Sequence, residues 1–125
     1  MKIYDCFMFY DEDMLLDIRL NILDKYVDYF VIVEGNKTWQ NNSKRLRCEW
    51  NNFNKFKDKI IYIPVEDLPD GDNPYERENH QRNCILRGIA VAENDVLILI
   101  SDLDDIPNPK ILKNFVKMLR SVSYT

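Results

Sequence analysis

Three carboxylates fall within four positions at Asp102, Asp104 and Asp105, directly after an uninterrupted apolar run from Val96 to Ile100. Carboxylates this close repel one another, and a divalent cation relieves the repulsion. Hard cations such as Mg²⁺ take oxygen ligands and need only one or two protein carboxylates. In an extended chain residues two apart share a face, so Asp102 and Asp104 are expected to converge on one ligand while Asp105 points elsewhere. Ligands of open α/β sheets bind at the carboxyl ends of strands, which is where these acids lie. A second reading stays open. Aspartate favours helix N-caps and first turns, so the same acids would cap the helix that follows.

The elements that must position these acids can be read from periodicity. Val96–Ile100 has the pattern of a strand buried on both faces, in the middle of a parallel sheet. Ile3 to Tyr10, Tyr29 to Glu34 and Ile60 to Val65 read as three earlier strands. Pro64 has no N–H to donate and marks a strand end or a sheet edge. Met14, Leu15, Ile18, Ile22 and Leu23 predict a helix over about 12–25, capped by Asp11 or a neighbour. Leu46, Trp50, Phe53 and Phe56 predict another over 45–56, and Ile85, Leu86, Ile89 and Ala92 a third over about 75–92. Pro109 opens a last helix over 110–120, as proline favours the first helical turn. Lys37–Lys44 and Glu66–Asn73 read as loops. Strands alternating with helices predict an α/β, Rossmann-like fold with a mostly parallel sheet and helices on both faces.

One domain over 1–125 is expected from 125 residues with 46% hydrophobic content. A net charge of -4 argues against nucleic-acid binding, which calls for a basic excess. Cys6, Cys48 and Cys84 form no CxxC pair and no zinc spacing, so reduced thiols in a reducing compartment are expected, with Cys6 and Cys84 buried. Asp5, Asp11 and Glu12 interrupt any signal-peptide core, and no apolar run is long enough to span a membrane. The expectation is a soluble, cytoplasmic chain whose oligomeric state the sequence leaves open.

The second half carries a more specific pattern: Arg82-Asn83 in a helix, the apolar run Val96–Ile100, then Asp102-Leu103-Asp104. It resembles the central signature of GT-A-fold glycosyltransferases, which ends in a DxD motif. With Tyr4–Glu12, Leu15–Leu20 around Arg19, Val27–Gly35, Thr38, Lys44 and Ser101–Pro107, the chain resembles glycosyltransferase family 17. That is the family of β-1,4-mannosyl-glycoprotein β-1,4-N-acetylglucosaminyltransferases. The resemblance runs to about Pro109. It implies a GT-A nucleotide-sugar-binding fold, a nucleotide-sugar donor (UDP-N-acetylglucosamine), a glycan acceptor, and Mn²⁺ or Mg²⁺ as cofactor.

The resemblance also implies roles for particular residues. Asp104, with Asp102, would hold the metal, or Asp102 would face the ribose. Arg82 would pair with phosphate through its forked donors, or form a surface salt bridge with Glu78 one turn earlier. Glu34 would accept hydrogen bonds from base or ribose, or be a plain solvated strand end. Asp5 and Asp11 flank the first strand as lesser candidates. Family members are longer, so the acceptor region and the general base of inverting enzymes are expected to be missing after Pro109, where Lys110–Leu119 reads as an amphipathic surface helix. No general base is assigned, and His80, the sole histidine, reads as a surface residue. Two rivals follow from the same acids. One is a non-catalytic nucleotide-sugar or metal-binding module. The other is a haloacid-dehalogenase-type phosphatase with an aspartate nucleophile, against which stand Ile106, the late position of the motif and the short remaining chain.

Overall fold

The computed structural model describes residues 1–48, 54–89 and 95–121. Strands β1 (Lys2–Phe9), β2 (Tyr29–Gly35), β3 (Ile60–Val65) and β4 (Val96–Ile100) form a single parallel sheet. Their order is β3-β2-β1-β4. The helices are α1 (Asp13–Leu23), α2 (Pro74–Asn83), α3 (Ile85–Ile89) and α4 (Pro109–Ser121). The fold is α/β and Rossmann-like, as the alternation predicts. Strand order reverses between β1 and β4, and such a switch point opens a crevice at the strands' carboxyl ends.

Alternation along the strands divides the core in two. Ile3, Phe7 and Phe9 of β1, with Phe30 and Ile32 of β2, pack against Leu16, Leu20 and Leu23 of α1 and Leu112 and Val116 of α4. Tyr4, Cys6, Val31 and Val33 face the other way, toward Leu68, Cys84 and Ile85. Each of these large side chains contributes roughly 1.5–3 kcal/mol when fully buried. Gly88 lets α3 lie close on the sheet, for a Cβ there would stand 2.5 Å from Val31 Cγ1. Pro64 pairs with Glu34 in β3, the edge strand beyond β2, where a missing N–H costs no ladder bond on the open side. Cys6, Cys48 and Cys84 form no disulfide with one another, and Cys6 and Cys84 are buried. Burial pushes the Cys6 thiol up to about 12, which suits a small core residue and not a nucleophile.

Several expectations are corrected. β4 is not a central strand: it lies at the sheet edge among the described residues, half-buried, with Ile100 58% exposed. A two-sided apolar run records what the strand can bury, not its place in the order. The predicted 75–92 helix breaks at Cys84, whose N–H is shared between the His80 and Gln81 carbonyls at 3.0 and 3.1 Å. That tightens the turn toward 3₁₀ geometry. Arg77, Gln81, Ile85 and Gly88 are all buried at helical spacing across the break, so periodicity does not register it. Residues 90–92 lie outside the described residues. Within the predicted 45–56 helix, Arg45–Cys48 is not helical and Asn54–Phe56 is a 3₁₀ turn, while the rest lies outside the described residues. At α1 the N-cap is Glu12, with no side-chain cap.

Candidate functional site

A charge sits in each of two apolar surfaces, and the two meet. Asp5 lies mid-strand in β1, and Arg19 on the apolar side of α1; both are 0% exposed. Arg19 Nε donates to Asp5 Oδ2 at 2.9 Å and its Nη2 to Asp5 Oδ1 at 2.7 Å, a forked pair. The remaining donors reach the segment after β4. Nη2 donates to Ser101 Oγ at 2.6 Å. Nη1 donates to the Asp102 carbonyl at 2.7 Å, with longer bonds to the Leu103 and Asp105 carbonyls at 3.2 and 3.3 Å. The guanidinium also stands 4.6 Å from the Phe7 ring centroid. Every arginine N–H direction thus has a use, and the acidic segment hangs from a buried cation fixed by Asp5.

That segment is a turn, not an extended chain, since the Asp105 N–H donates to the Asp102 carbonyl at 3.0 Å. The alternating-face expectation for Asp102 and Asp104 is therefore replaced by a turn whose backbone is clamped. From Asp102–Asp105 Arg19 takes carbonyls only. Among the described residues, no hydrogen bond or ion pair engages the carboxylates of Asp102, Asp104 or Asp105, and all three residues are exposed. They do not cap the following helix either: Asn108 Oδ1 accepts from the Lys110 N–H at 2.9 Å. With capping removed, free oxygens on a rigid turn are a donor set that fits a hard divalent cation.

Two hollows flank the turn and share Met8 and Asp102. The larger, about 530 Å³, runs from the end of β1 (Met8, Phe9, Tyr10, Glu12) past Asp102, Leu103 and Asp104 to Thr38, Trp39 and Gln40. Its size is within the roughly 300–1,000 Å³ usual for small-molecule sites. The smaller, about 230 Å³, is lined by Arg82, Ile85, Ile100, Ser101 and Asp105 beside the shared pair. Asp105 therefore does not point away from Asp102; both line this hollow.

Arg82 is thus brought to the acidic turn, and it also makes the salt bridge to Glu78, at 3.2 Å with a partly exposed side chain. Glu34 is neither solvated nor open. It is fully buried, and its carboxylate accepts from Lys44 Nζ (2.6 Å), the Arg47 N–H (2.6 Å), the Cys48 N–H (2.9 Å) and Tyr62 Oη (2.7 Å). Four donors fill its four lone-pair directions, so it anchors the chain after β2. Burial and the Glu34 carboxylate push the Tyr62 phenol up. Asp11 is exposed beside the cleft-lining Glu12. His80 pairs with Asp67 at 3.1 Å rather than with the acidic turn.

Sequence reasoning missed the residues that build the far wall. Arg77, 2% exposed, donates through Nε to the Trp39 carbonyl at 2.7 Å and through Nη1 to the Gly71 carbonyl at 2.8 Å, joining the two loops that follow β2 and β3. Gln81 donates to the Val33 carbonyl at 3.2 Å and accepts from Trp39 Nε1 at 3.4 Å. Their only signal was polarity: α2 has no apolar stripe and is anchored by these two buried polar groups. Glu12 lines the cleft as well, and burial raises its carboxyl above the usual range.

The sequence model of glycosyltransferase family 17 matches residues 1–123. The chain belongs to glycosyltransferase family 17. Searches of curated proteins and of solved structures return no significant match. Family membership makes sugar transfer the chemistry at issue, and divalent metals are common among glycosyltransferases. No helix among the described residues is long and apolar enough to cross a membrane.

Proposed function

We propose that this family 17 chain transfers a sugar, N-acetylglucosamine from UDP-N-acetylglucosamine, to a glycan acceptor, with the donor seated in the cleft between the carboxyl ends of β1 and β4. The observation that carries the reading is the free carboxylates of Asp102 and Asp104 on a turn that Arg19 holds by its backbone alone. Asp104, with Asp102, would hold Mn²⁺ or Mg²⁺. Such an ion supplies Lewis-acid neutralisation of the charge that grows on a departing nucleoside diphosphate. Arg82, reaching the other side of the turn, exchanges Glu78 for a phosphate oxygen through its planar donors. Glu34 acts through the loop that it pins, which carries Thr38 and Trp39 to the cleft, and not by touching the donor.

Thermal unfolding with Mn²⁺ and UDP, separately and together, tests the reading. Ligand at a hundred times its dissociation constant adds about 2.7 kcal/mol, a shift of several degrees in a domain of this size. The expected shift needs both components and disappears in Asp104→Ala, whose unliganded midpoint stays close to that of the parent. UDP release in the presence of a glycan acceptor then reads transfer. A folded chain that shows no shift with either component overturns the donor site, and a shift without UDP release reduces the chain to a binding module.

A further inference from the structure

Helix α2 presents more than one functional face. Glu78, Gln81 and Arg82 turn toward the hollows beside the acidic turn, whereas His80 and Cys84, four residues apart and so neighbours on a helical surface, meet Asp67 from the loop after β3. Asp67 Oδ1 lies 3.1 Å from His80 Nε2, and Asp67 Oδ2 accepts from Arg87 Nη2 at 2.8 Å. One ligand atom from each of Asp67, His80 and Cys84 lies within 4.8 Å of the others. Cys84 is buried, His80 half-buried and Asp67 exposed, so the three form a rim closed by protein on one side and open to water on the other.

We propose that Asp67 Oδ1, His80 Nε2 and Cys84 Sγ form a binding site for a zinc-class cation, with water completing the shell. Thiolate and imidazole select zinc or cobalt over the Mg²⁺ and Mn²⁺ that oxygen-only sites take. Zinc holds nitrogen and oxygen at roughly 2.0–2.2 Å and sulfur at roughly 2.3 Å, so tetrahedral ligand atoms stand about 3–4 Å apart. The His80–Asp67 separation of 3.1 Å already falls there, and the Cys84 ligand atom lies within 4.8 Å of both. Arg87 keeps its 2.8 Å bond to Asp67 Oδ2, the outer-shell hydrogen bond that ligating carboxylates use for orientation, and its Nη1 yields the longer 3.4 Å contact with Oδ1 to the cation. Ligation needs the Cys84 thiolate and an unprotonated His80 Nε2, so the thiol proton leaves to solvent as the cation binds. Binding therefore releases protons and strengthens as pH rises. The site clamps α2 to the loop that Arg77 holds through the Pro69 and Gly71 carbonyls, behind the wall of the cleft. None of this depends on the sugar-transfer reading.

Co²⁺ titration of the full chain, as a spectroscopic substitute for Zn²⁺, decides the matter. The expected result is a thiolate-to-cobalt charge-transfer band that saturates at one equivalent, is displaced by Zn²⁺ and is unchanged in Asp104→Ala. Cys84→Ser removes the band, and His80→Ala and Asp67→Asn each weaken Co²⁺ binding by about tenfold or more. His80 and Asp67 are not core residues, so those two variants keep the test open if Cys84→Ser fails to fold. Absence of the band, a band that survives in folded Cys84→Ser, or unchanged affinity in both His80→Ala and Asp67→Asn overturns the proposal.

Discussion

The most consequential residue of the candidate site does not face the cleft. Arg19 sits inside, paired with Asp5, and sets the path of residues 101–105 through the Ser101 hydroxyl and the carbonyls of Asp102, Leu103 and Asp105. Leaving one member of a buried ion pair without the other costs about 3–5 kcal/mol, whereas an apolar replacement of both is often neutral or better. Arg19→Met is therefore expected to lose stability on that scale in urea unfolding. The pair Asp5→Leu/Arg19→Met recovers most of it, yet still binds UDP with Mn²⁺ poorly because the turn has lost its clamp. Full recovery of both would mean that the turn holds itself. The sequence displayed a charge in an apolar strand and one on an apolar helical side, but nothing local says that such charges meet. A second residue-scale expectation concerns Asp67, whose carboxyl the Arg87 and His80 hydrogen bonds hold down to about 2. A depressed folded pKa stabilises above the ordinary aspartate range, near about 3.9, and that contribution fades as pH falls toward 2. Because Asp67 is exposed the effect on stability is small, so the readout is its carboxyl titration by NMR, which Arg87→Ala moves back upward.

Elements were more legible than their contacts. Strands β1, β2 and β3 and helices α1 and α4 fall within a residue or two of their sequence ranges, although the periodicity of α1 marks its extent and not its buried face: Met14, Ile18 and Ile22 are exposed, and Leu16, Arg19, Leu20 and Leu23 are buried. The acidic turn was less so: spacing gives facing only if the backbone is extended, and the clamp from α1 bends it. Helix α2 gave the weakest signal, since it docks through Arg77 and Gln81 instead of an apolar stripe. Its continuation α3 shows how packing overrides propensity. Glycine inside a helix ordinarily costs about 1 kcal/mol relative to alanine, so on local grounds alone Gly88→Ala is stabilising. Here the new methyl would stand 2.5 Å from Val31 Cγ1 and 3.3 Å from its Cγ2, and Val31 is wholly buried in β2. Neither partner is a flexible side-chain end. Overpacking of this kind costs about 1–3 kcal/mol, so Gly88→Ala is expected to lower the urea midpoint with an unchanged slope. A raised midpoint would show that α3 lifts off the sheet at little cost.

At the scale of the whole molecule, the order β3-β2-β1-β4 distributes both stability and function. Strands β1 and β2 each pair on two sides and hold the residues buried on both faces, including Phe7, Phe30, Val31 and Ile32. Strand β4 pairs only with β1 among the described residues, its side chains are half-buried, and yet it delivers the acidic turn. The candidate site thus spans a boundary between the best-held part of the sheet and one of its edges, joined chiefly by Arg19 from α1. Openings below the global free energy follow such boundaries. Native-state hydrogen exchange is expected to find the slowest amides in Cys6–Phe9 and Val31–Val33. The β4 amides should exchange through a smaller opening that leaves β1, β2 and α1 intact. On the proposed donor site, UDP with Mn²⁺ would lie across the end of β1 and the turn after β4 and bridge that boundary, so it should slow β4 exchange toward the rate of β1. Arg19→Met should abolish most of that coupling. Ligand-induced protection confined to β1 and β2, with β4 unchanged, would detach the acidic turn from the donor and leave the cleft to be explained by its other wall.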